Sequence, residues 1–324
     1  MNRRLLAFAL AAAATLPASS VWAQQPAKVP VVGVLVTHAA ANDPSFDDFR
    51  AALREFGYED GRNIRVEIVT AEGHLERLPV LAQELVRQNV DVICSPNDVS
   101  VRAARQATST IPIVMTGAAA DPVTSGLIDS FSRPGGNITG GYELWVELDG
   151  KRLEILKETL PRVSRVAVFQ DPSFPGRLGE LNRAAQSLGM RLKIIEVRRS
   201  RDLEGAFRAA KQSNASAVML VATPIWYVHS TQVAALALDA RLPVISPFHA
   251  SVEAGALMSY GHDIVKRNQV AAYYVDRLLK GAKPSELAVQ QVSKLKFAVN
   301  LKTAKALGIT IPESILLRAD EVIR

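Results

Sequence analysis

The sequence predicts an α/β protein of two similar lobes, each built on a parallel sheet and joined to the other by a multi-strand hinge. Three observations carry this reading. Apolar strand runs alternate with amphipathic helices through both halves of the chain. The pattern then occurs twice: SRVAVFQDP echoes VVGVLVTHA, RLKIIEVRR echoes IRVEIVTAE, SAVMLVATP echoes VDVICSPND, and LPVISPFHA echoes IPIVMTGAA. The offset between the copies stays at about 130 residues, far beyond a solenoid repeat. A chain of 324 residues accommodates two domains; one large doubly wound domain with coincidental alternation is the less economical alternative.

The chain opens with a leader. Met1-Asn2-Arg3-Arg4 is a basic start, Leu5 to Leu16 a short apolar stretch, and Val21-Trp22-Ala23 a small-residue cleavage pattern. These are the parts of a secretory signal peptide over residues 1–23, cleaved after Ala23. The apolar stretch is too short to span a membrane. No cysteine stands at the cleavage point to take a lipid anchor. Cleavage removes Arg3 and Arg4, so the formal charge of +6 falls to +4. The expected product is soluble, exported and free in the periplasm.

Hydrophobic content of 48% with 22% charged residues is ordinary for a globular protein. Basic residues alternate with acids along the helices, and the largest basic knot is Arg198-Arg199-Ser200-Arg201. That is a solvated surface rather than a groove for phosphates, so no nucleic-acid partner is expected. The single cysteine, Cys94, excludes an intrachain disulfide. It ends an apolar strand and reads as a small buried hydrophobe.

Val31 to Val36 is a continuous apolar run, as in a strand covered on both faces. Asp43-Pro44 opens a helix whose Phe46, Phe49, Leu53 and Phe56 recur at helical spacing before Gly57 ends it. Asn63 to Val69 is a strand, His74 to Gln88 a helix, Val90 to Cys94 a strand, Val99 to Thr108 a helix and Ile111 to Met115 a strand. Arg133-Pro134-Gly135-Gly136-Asn137 is a turn that leads to a crossing near Thr139 to Tyr142. The second run has strands at Val163 to Phe169, Arg191 to Val197, Ala217 to Val221 and Leu242 to Ile245. Its helices are Leu178 to Leu188, Asp202 to Gln212 and Val228 to Ala240.

The tail departs from the repeat. It holds a short strand at Ala256 to Ser259, a helix at Ile264 to Leu279, one or two strands over Val289 to Asn300 and a short helix at Thr303 to Leu307. Sending the Ile264 helix to the first lobe and the Val289 strands to the second gives several crossings, as a hinge requires. The expected lobes are residues 29–140 with 257–283, and residues 141–256 with 284–324.

Parallel strands deliver their C-terminal loops to one cleft. The first lobe then offers Thr37, His38, Ser95, Asn97, Asp98, Thr116, Gly117, Ala118 and Asp121. The second offers Gln170, Asp171, Ser173, Thr223, Pro224, Phe248 and His249, with Tyr260 near a crossing. Helix N-termini beside these loops favour an anionic group such as a carboxylate. The hydroxyls of Ser95 and Thr116 suit the same group. Asp98, Asp121 and Asp171 suit an ammonium, and Phe248, Tyr260 and Trp226 an apolar wall. The set fits a zwitterion or small polar solute rather than a polymer.

Asp98 and Asp121 serve equally well as helix N-caps, and Trp226 and Tyr227 as packing beneath the following helix. His38 and His249 lack metal-ligand spacing. The G-x-S-x-G elbow, the phosphate-binding loop, H-E-x-x-H and G-x-G-x-x-G after a strand are all missing. No metal or cofactor is therefore expected, and weight moves from catalysis to binding.

Three longer stretches are more specific: ADPVTSGLIDSFSRPGGNITG (Ala120 to Gly140), RLPVISPFHASVEAGALMSYG (Arg241 to Gly261) and NLKTAKALGITIPESILLRADEVI (Asn300 to Ile323). They resemble the ABC transporter substrate-binding protein family that includes the tryptophan/tyrosine-type binding proteins. The resemblance spans essentially the whole mature chain. It implies the type I periplasmic binding protein architecture, with an amino acid or small carboxylate trapped between two lobes by hinge closure. It also implies a non-enzymatic, monomeric protein that delivers its solute to a permease and ATPase at the inner membrane.

Two loops depart from the family pattern. Ser95-Pro96-Asn97-Asp98 stands where a smaller Gly- or Thr-bearing loop is expected, and Gln170-Asp171-Pro172 where Asn-Pro is common. Both face the solute, so its identity stays open. The alternatives are an exported α/β hydrolase using Asp98 or Asp171, and a receptor that presents its closed state to a membrane sensor.

Overall fold

The structure is a computed structural model and describes residues 28–41, 43, 46–118, 121–174 and 178–324. The expected signal peptide over residues 1–23 lies outside the described residues, as does Pro44 of the expected helix start.

The first run of elements is β1 (Val31–Val36), α1 (Phe46–Glu55), β2 (Arg65–Thr70), α2 (Leu78–Arg87), β3 (Val92–Ser95), α3 (Asp98–Ala107), β4 (Ile113–Ala118) and β5 (Ile138–Tyr142). Then come α4 (Trp145–Thr159), β6 (Arg165–Gln170), α5 (Leu178–Ser187), β7 (Arg191–Glu196), α6 (Leu203–Gln212) and β8 (Ala217–Leu220). They are followed by α7 (Pro224–Val228), α8 (Ser230–Ala240), β9 (Val244–Ser246), α9 (His249–Glu253) and β10 (Met258–His262). The chain closes with α10 (Ile264–Leu279), β11 (Gln290–Gln291), β12 (Leu295–Asn300), α11 (Leu301–Leu307), α12 (Glu313–Leu316) and β13 (Glu321–Ile323).

Two sheets result. The first has six strands in the order β11-β5-β4-β3-β1-β2, all parallel. The second has seven in the order β13-β12-β10-β9-β8-β6-β7, with β12 antiparallel to β10 and the other pairs parallel. The central strands β1, β3, β5 and β8 are buried at every position, because helices cover both faces and leave no polar side to alternate with. The edge strand β7 is exposed or half-exposed along its length. The expected repeat is present: β1 to β4 and β6 to β9 occupy matching places in their sheets.

The halves are linked by three segments: between β5 and α4, between β10 and α10, and between β11 and β12. Backbone bonds tie them together, from Val292 N to Tyr142 O at 2.9 Å and from Asp263 N to Lys294 O at 3.0 Å. The helix α10 packs into the first half, where Ala271, Tyr274 and Val275 join Phe46, Phe49 and Leu53 in one core. The strands of the tail divide differently from the expectation. β10 (Met258–His262) belongs to the second sheet, β11 to the first and β12 to the second. Cross-strand partners, not sequence order, set that membership.

The sequence reading left 143–162 without an element, yet α4 occupies most of it. Its buried face carries Asp149 and Arg152 beside Leu153 and Leu156. These buried charges interrupt the apolar period by which a helix is recognised. The expected helix at Val228 to Ala240 is α8, starting at Ser230, and the short helix α7 precedes it across His229 where only a strand-end loop was expected.

Candidate functional site

In each sheet the strand order reverses beside the first strand, between β1 and β3 and between β6 and β8. A crevice at the strand C-termini forms at such points. The loops after β1 and β3 bring Thr37 and Asn97 together, with Asn97 Nδ2 donating to Thr37 Oγ1 at 3.2 Å. Asn97 also caps α3, its Oδ1 accepting from Ser100 N at 3.1 Å. The loops after β6 and β8 supply Asp171 and Thr223 from the other half.

Between the two halves lies a cavity of about 140 Å³. Of the expected residues it collects Thr37, His38, Asn97, Thr116, Gly117, Thr223, Pro224 and Phe248. The others stand outside its lining. Ser95 is buried within β3, and Asp98 occupies the first turn of α3 while Asn97 does the capping. Ala118 ends β4. Asp121 Oδ1 accepts from the amides of Val123 at 2.8 Å and Thr124 at 3.1 Å, so it closes its own turn. Gln170 ends β6.

Asp171 is buried against Ser173 N, at 2.9 Å, and faces His38. His249 turns away to Glu321 at 3.2 Å and Glu253 at 3.6 Å. Tyr260 packs edge-on to Phe297, and its carbonyl accepts from Arg152 at 2.9 Å. Trp226, read as a possible wall, is fully buried, its Nε1 donating to Val221 O at 2.5 Å. The next residue, Tyr227, lines the cavity instead.

Several lining residues escaped the sequence reading: Trp145, Phe174, Arg267 and Asn268, together with Phe46, Phe49 and Tyr227, which read only as packing. The wall they make is mainly aromatic. Trp145 lies 5.3 Å from the Phe248 ring and edge-on to His262 at 4.8 Å, and Phe248 meets Tyr227 edge-on at 5.5 Å. Clustered Trp, Phe and Tyr near strand ends were visible in the sequence; which face of α1 and α10 turns to the cleft was not.

The electrostatics are spare. Burial lowers the His38 pKa to about 4 against the opposing pull of Asp171, so its imidazole is neutral at pH 7. The Cys94 thiol lines the cavity, and burial pushes its pKa up, which keeps it a protonated hydrophobe as expected. Arg267 is therefore the one charged side chain of the lining among the described residues. Behind it Glu143 is fully buried, its Oε2 accepting from Trp145 Nε1 at 2.7 Å. Burial raises its pKa to about 7, held back by Arg267 and by the indole bond. The described residues contain no cluster of three or more His, Cys, Asp or Glu able to hold a metal.

A mostly apolar, two-sided cleft with one cation suits a small molecule with an apolar body and an anionic end. The chain is 28% identical over 286 residues to the tyrosine-binding protein of Clostridioides difficile (strain R20291), covering 86% of this chain and 80% of that one. A solved structure of a conserved domain protein from Vibrio cholerae O1 biovar eltor is similar with a TM-score of 0.81 at 29% identity, covering 91% of this chain and 100% of that one. The fold is also similar to that of the ABC domain in complex with L-Trp from Streptococcus pneumonia, with a TM-score of 0.78, 24% identity, and 91% and 99% coverage. The family model described as ABC transporter substrate binding protein matches residues 28–323. The chain thus belongs to the ABC transporter substrate-binding proteins, the solute-binding components of ABC importers.

Proposed function

We propose that this protein binds an amino acid with an aromatic or large apolar side chain, its carboxylate on Arg267 and its side chain among Trp145, Phe174, Tyr227 and Phe248. One observation carries the reading: a single cation, Arg267, projects into a cavity whose other large side chains are aromatic. A guanidinium half-removed from water binds a carboxylate through charge-assisted bonds. Thr116, Thr223 and Asn97 add polar partners from both halves. The sequence expectation of a small polar solute narrows accordingly, because the aromatic wall offers little to a polyhydroxylated one. The tyrosine- and tryptophan-binding relatives point the same way.

The solute is held by closure of two lobes about the three linking segments. On sheet membership the lobes are residues 28–142 with 263–291, and residues 143–262 with 292–324. Substrate-binding proteins of this family work outside the cytoplasm. For this chain we place that work in the periplasm, after cleavage at Ala23, as a monomer serving a permease and ATPase of the inner membrane. The hydrolase alternative loses support, since Asp98 and Asp171 do not line the cavity and Asp171 is engaged by Ser173 N and His38.

The test is a thermal-shift and calorimetric panel of L-tryptophan, L-tyrosine, L-phenylalanine, the amines tryptamine and tyramine, D-ribose and L-arginine. The aromatic amino acids are expected to raise the melting temperature by mass action, and the amines to do nothing. Binding of the amines or of ribose alone overturns the reading.

A further inference from the structure

Arg267, in the first turn of α10, and Glu143, in the segment between β5 and α4, meet at Gly117. The point where a Cβ would stand on Gly117 is 3.0 Å from Arg267 Cδ and 3.0 Å from Glu143 Oε2, with Pro96 O at 3.2 Å. The two side chains make no ion pair with each other. Instead each keeps an unused buried atom: Arg267 Nε and Glu143 Oε1 have no hydrogen-bond partner. Glu143 spends its other oxygen on Trp145, whose ring lines the cavity. A buried carboxylate supported by one indole and by the field of one arginine is poorly held in its charged form.

We propose that Glu143 is a specificity-determining residue of the cavity: it shares the charge of Arg267 with the solute carboxylate, so that solute and proton enter together. The inference rests on the reading that Arg267 receives that carboxylate. A carboxylate arriving on Arg267 compensates the guanidinium and places a second negative charge near Glu143. Both effects favour the protonated acid. The proton goes to a carboxylate oxygen of Glu143, and Oε2 continues to accept from the indole. Reciprocity then requires that solute affinity fall as pH rises through the titration of Glu143.

Among the described residues no other neighbour competes for this role. From α10 the charged group is Arg267, from the Glu143 segment itself only the Trp145 indole bond, and β4 contributes uncharged Thr116 and Gly117. Beyond the Trp145 ring stands His262, which burial and the charges of Arg152 and Arg267 hold near 4, hence neutral. His38 across the cavity is likewise neutral above about 4. Of these groups Glu143, raised to about 7, is the one that changes charge between pH 6 and 8.

The experiment is titration calorimetry on the whole mature protein with L-tryptophan and with indole-3-propionate, which lacks the ammonium. It is run at pH 7 in two buffers of different ionisation enthalpy, and Kd is measured at pH 6 and pH 8. The wild type is expected to take up a fraction of a proton per solute, and to weaken by up to about tenfold per pH unit. Glu143→Gln keeps an oxygen for the indole; it should show no uptake, a flat profile, and affinity at pH 8 at least equal to wild type. A buffer-independent enthalpy in the wild type, proton release with indole-3-propionate, or an unchanged profile in Glu143→Gln overturns the proposal while leaving the site reading intact. If Glu143→Gln does not fold, the wild-type buffer comparison decides alone. If neither compound binds the wild type, the carboxylate reading of Arg267 fails and the proposal fails with it.

Discussion

His38 and Asp171 face one another across the cleft, with Nε2 of the imidazole 4.0 Å from Oδ2 of the carboxylate. One follows β1 of the first sheet and the other β6 of the second, at matching places in the repeat. Both are nearly sealed from solvent. The Phe174 ring lies 6.3 Å from the imidazole and covers it from the second half. Two strand-end loops thus meet across the cleft.

This arrangement fixes a pH response of stability. An unfolded imidazole takes a proton near 6.5, whereas folded His38 resists until about 4. The His38 contribution to stability is therefore flat above 6.5 and falls as pH drops from 6.5 toward 4, because the unfolded chain binds the extra proton first, while Glu143, raised to about 7, works the other way and gains stability as pH falls through 7. His262, held near 4 by burial and by Arg152 and Arg267, acts in the same direction as His38. Melting temperature measured from pH 7.5 to 4.5 should decline below 6.5, and His38→Gln should decline less steeply. A His38→Gln profile parallel to that of the wild type through this window contradicts the assignment.

Replacing Arg267 by Ala should weaken binding of carboxylate solutes while the fold survives, since Arg267 is only partly buried. A charge-assisted bond contributes about 1.5–3 kcal/mol, so affinity should fall by about ten- to a hundredfold. Calorimetry alongside circular dichroism separates lost binding from lost structure.

The two tryptophans among the described residues, Trp145 and Trp226, have opposite roles. Trp145 lines the cavity, and Trp226 is buried under α8 with Phe169 beside it. Solute should change the fluorescence of wild type and of Trp226→Phe, but not of Trp145→Phe. Trp226→Phe strands the carbonyl of Val221 and should cost about 1–3 kcal/mol in urea unfolding. A solute response that survives in Trp145→Phe would argue against contact at this ring.

Two glycines make a contrast. At Gly117 an added methyl presses on side-chain atoms of Arg267 and Glu143 at 3.0 Å, which move at modest cost. At Gly261 it would stand 1.9 Å from Pro247 O, a backbone atom. Gly117→Ala should fold and lose about 1–3 kcal/mol of solute affinity by crowding the guanidinium. Gly261→Ala should instead lower the melting temperature sharply, because β10 can no longer pass the loop after β9. Equal effects of both on stability would refute the distinction.

Much of the scaffold was legible in the sequence. Buried parallel strands must be apolar on both faces, so VVGVLV and AVML announce themselves, and the loops after them follow by geometry. Thr37, Asn97, Thr116 and Thr223 come into the lining by that route. Arg267 and Trp145 were not legible. They stand just after two linking segments, where position depends on how the chain passes between halves and not on any local period. Asp98 and Asp121 show the reverse difficulty. An aspartate after a strand serves a turn or a solute equally well in sequence, and Asp121 is taken by the amides of Val123 and Thr124.

The divided tail bears on how the chain is made. β1 to β5 form before residue 143, but the first half lacks the helix that covers Phe46, Phe49 and Leu53 until Leu279 has emerged, and its sixth strand until Gln291. A nascent N-terminal half therefore exposes an uncovered sheet face for most of synthesis and resists early compaction. A fold that cannot be completed from its own first half thus leaves that half open until nearly all of the chain exists.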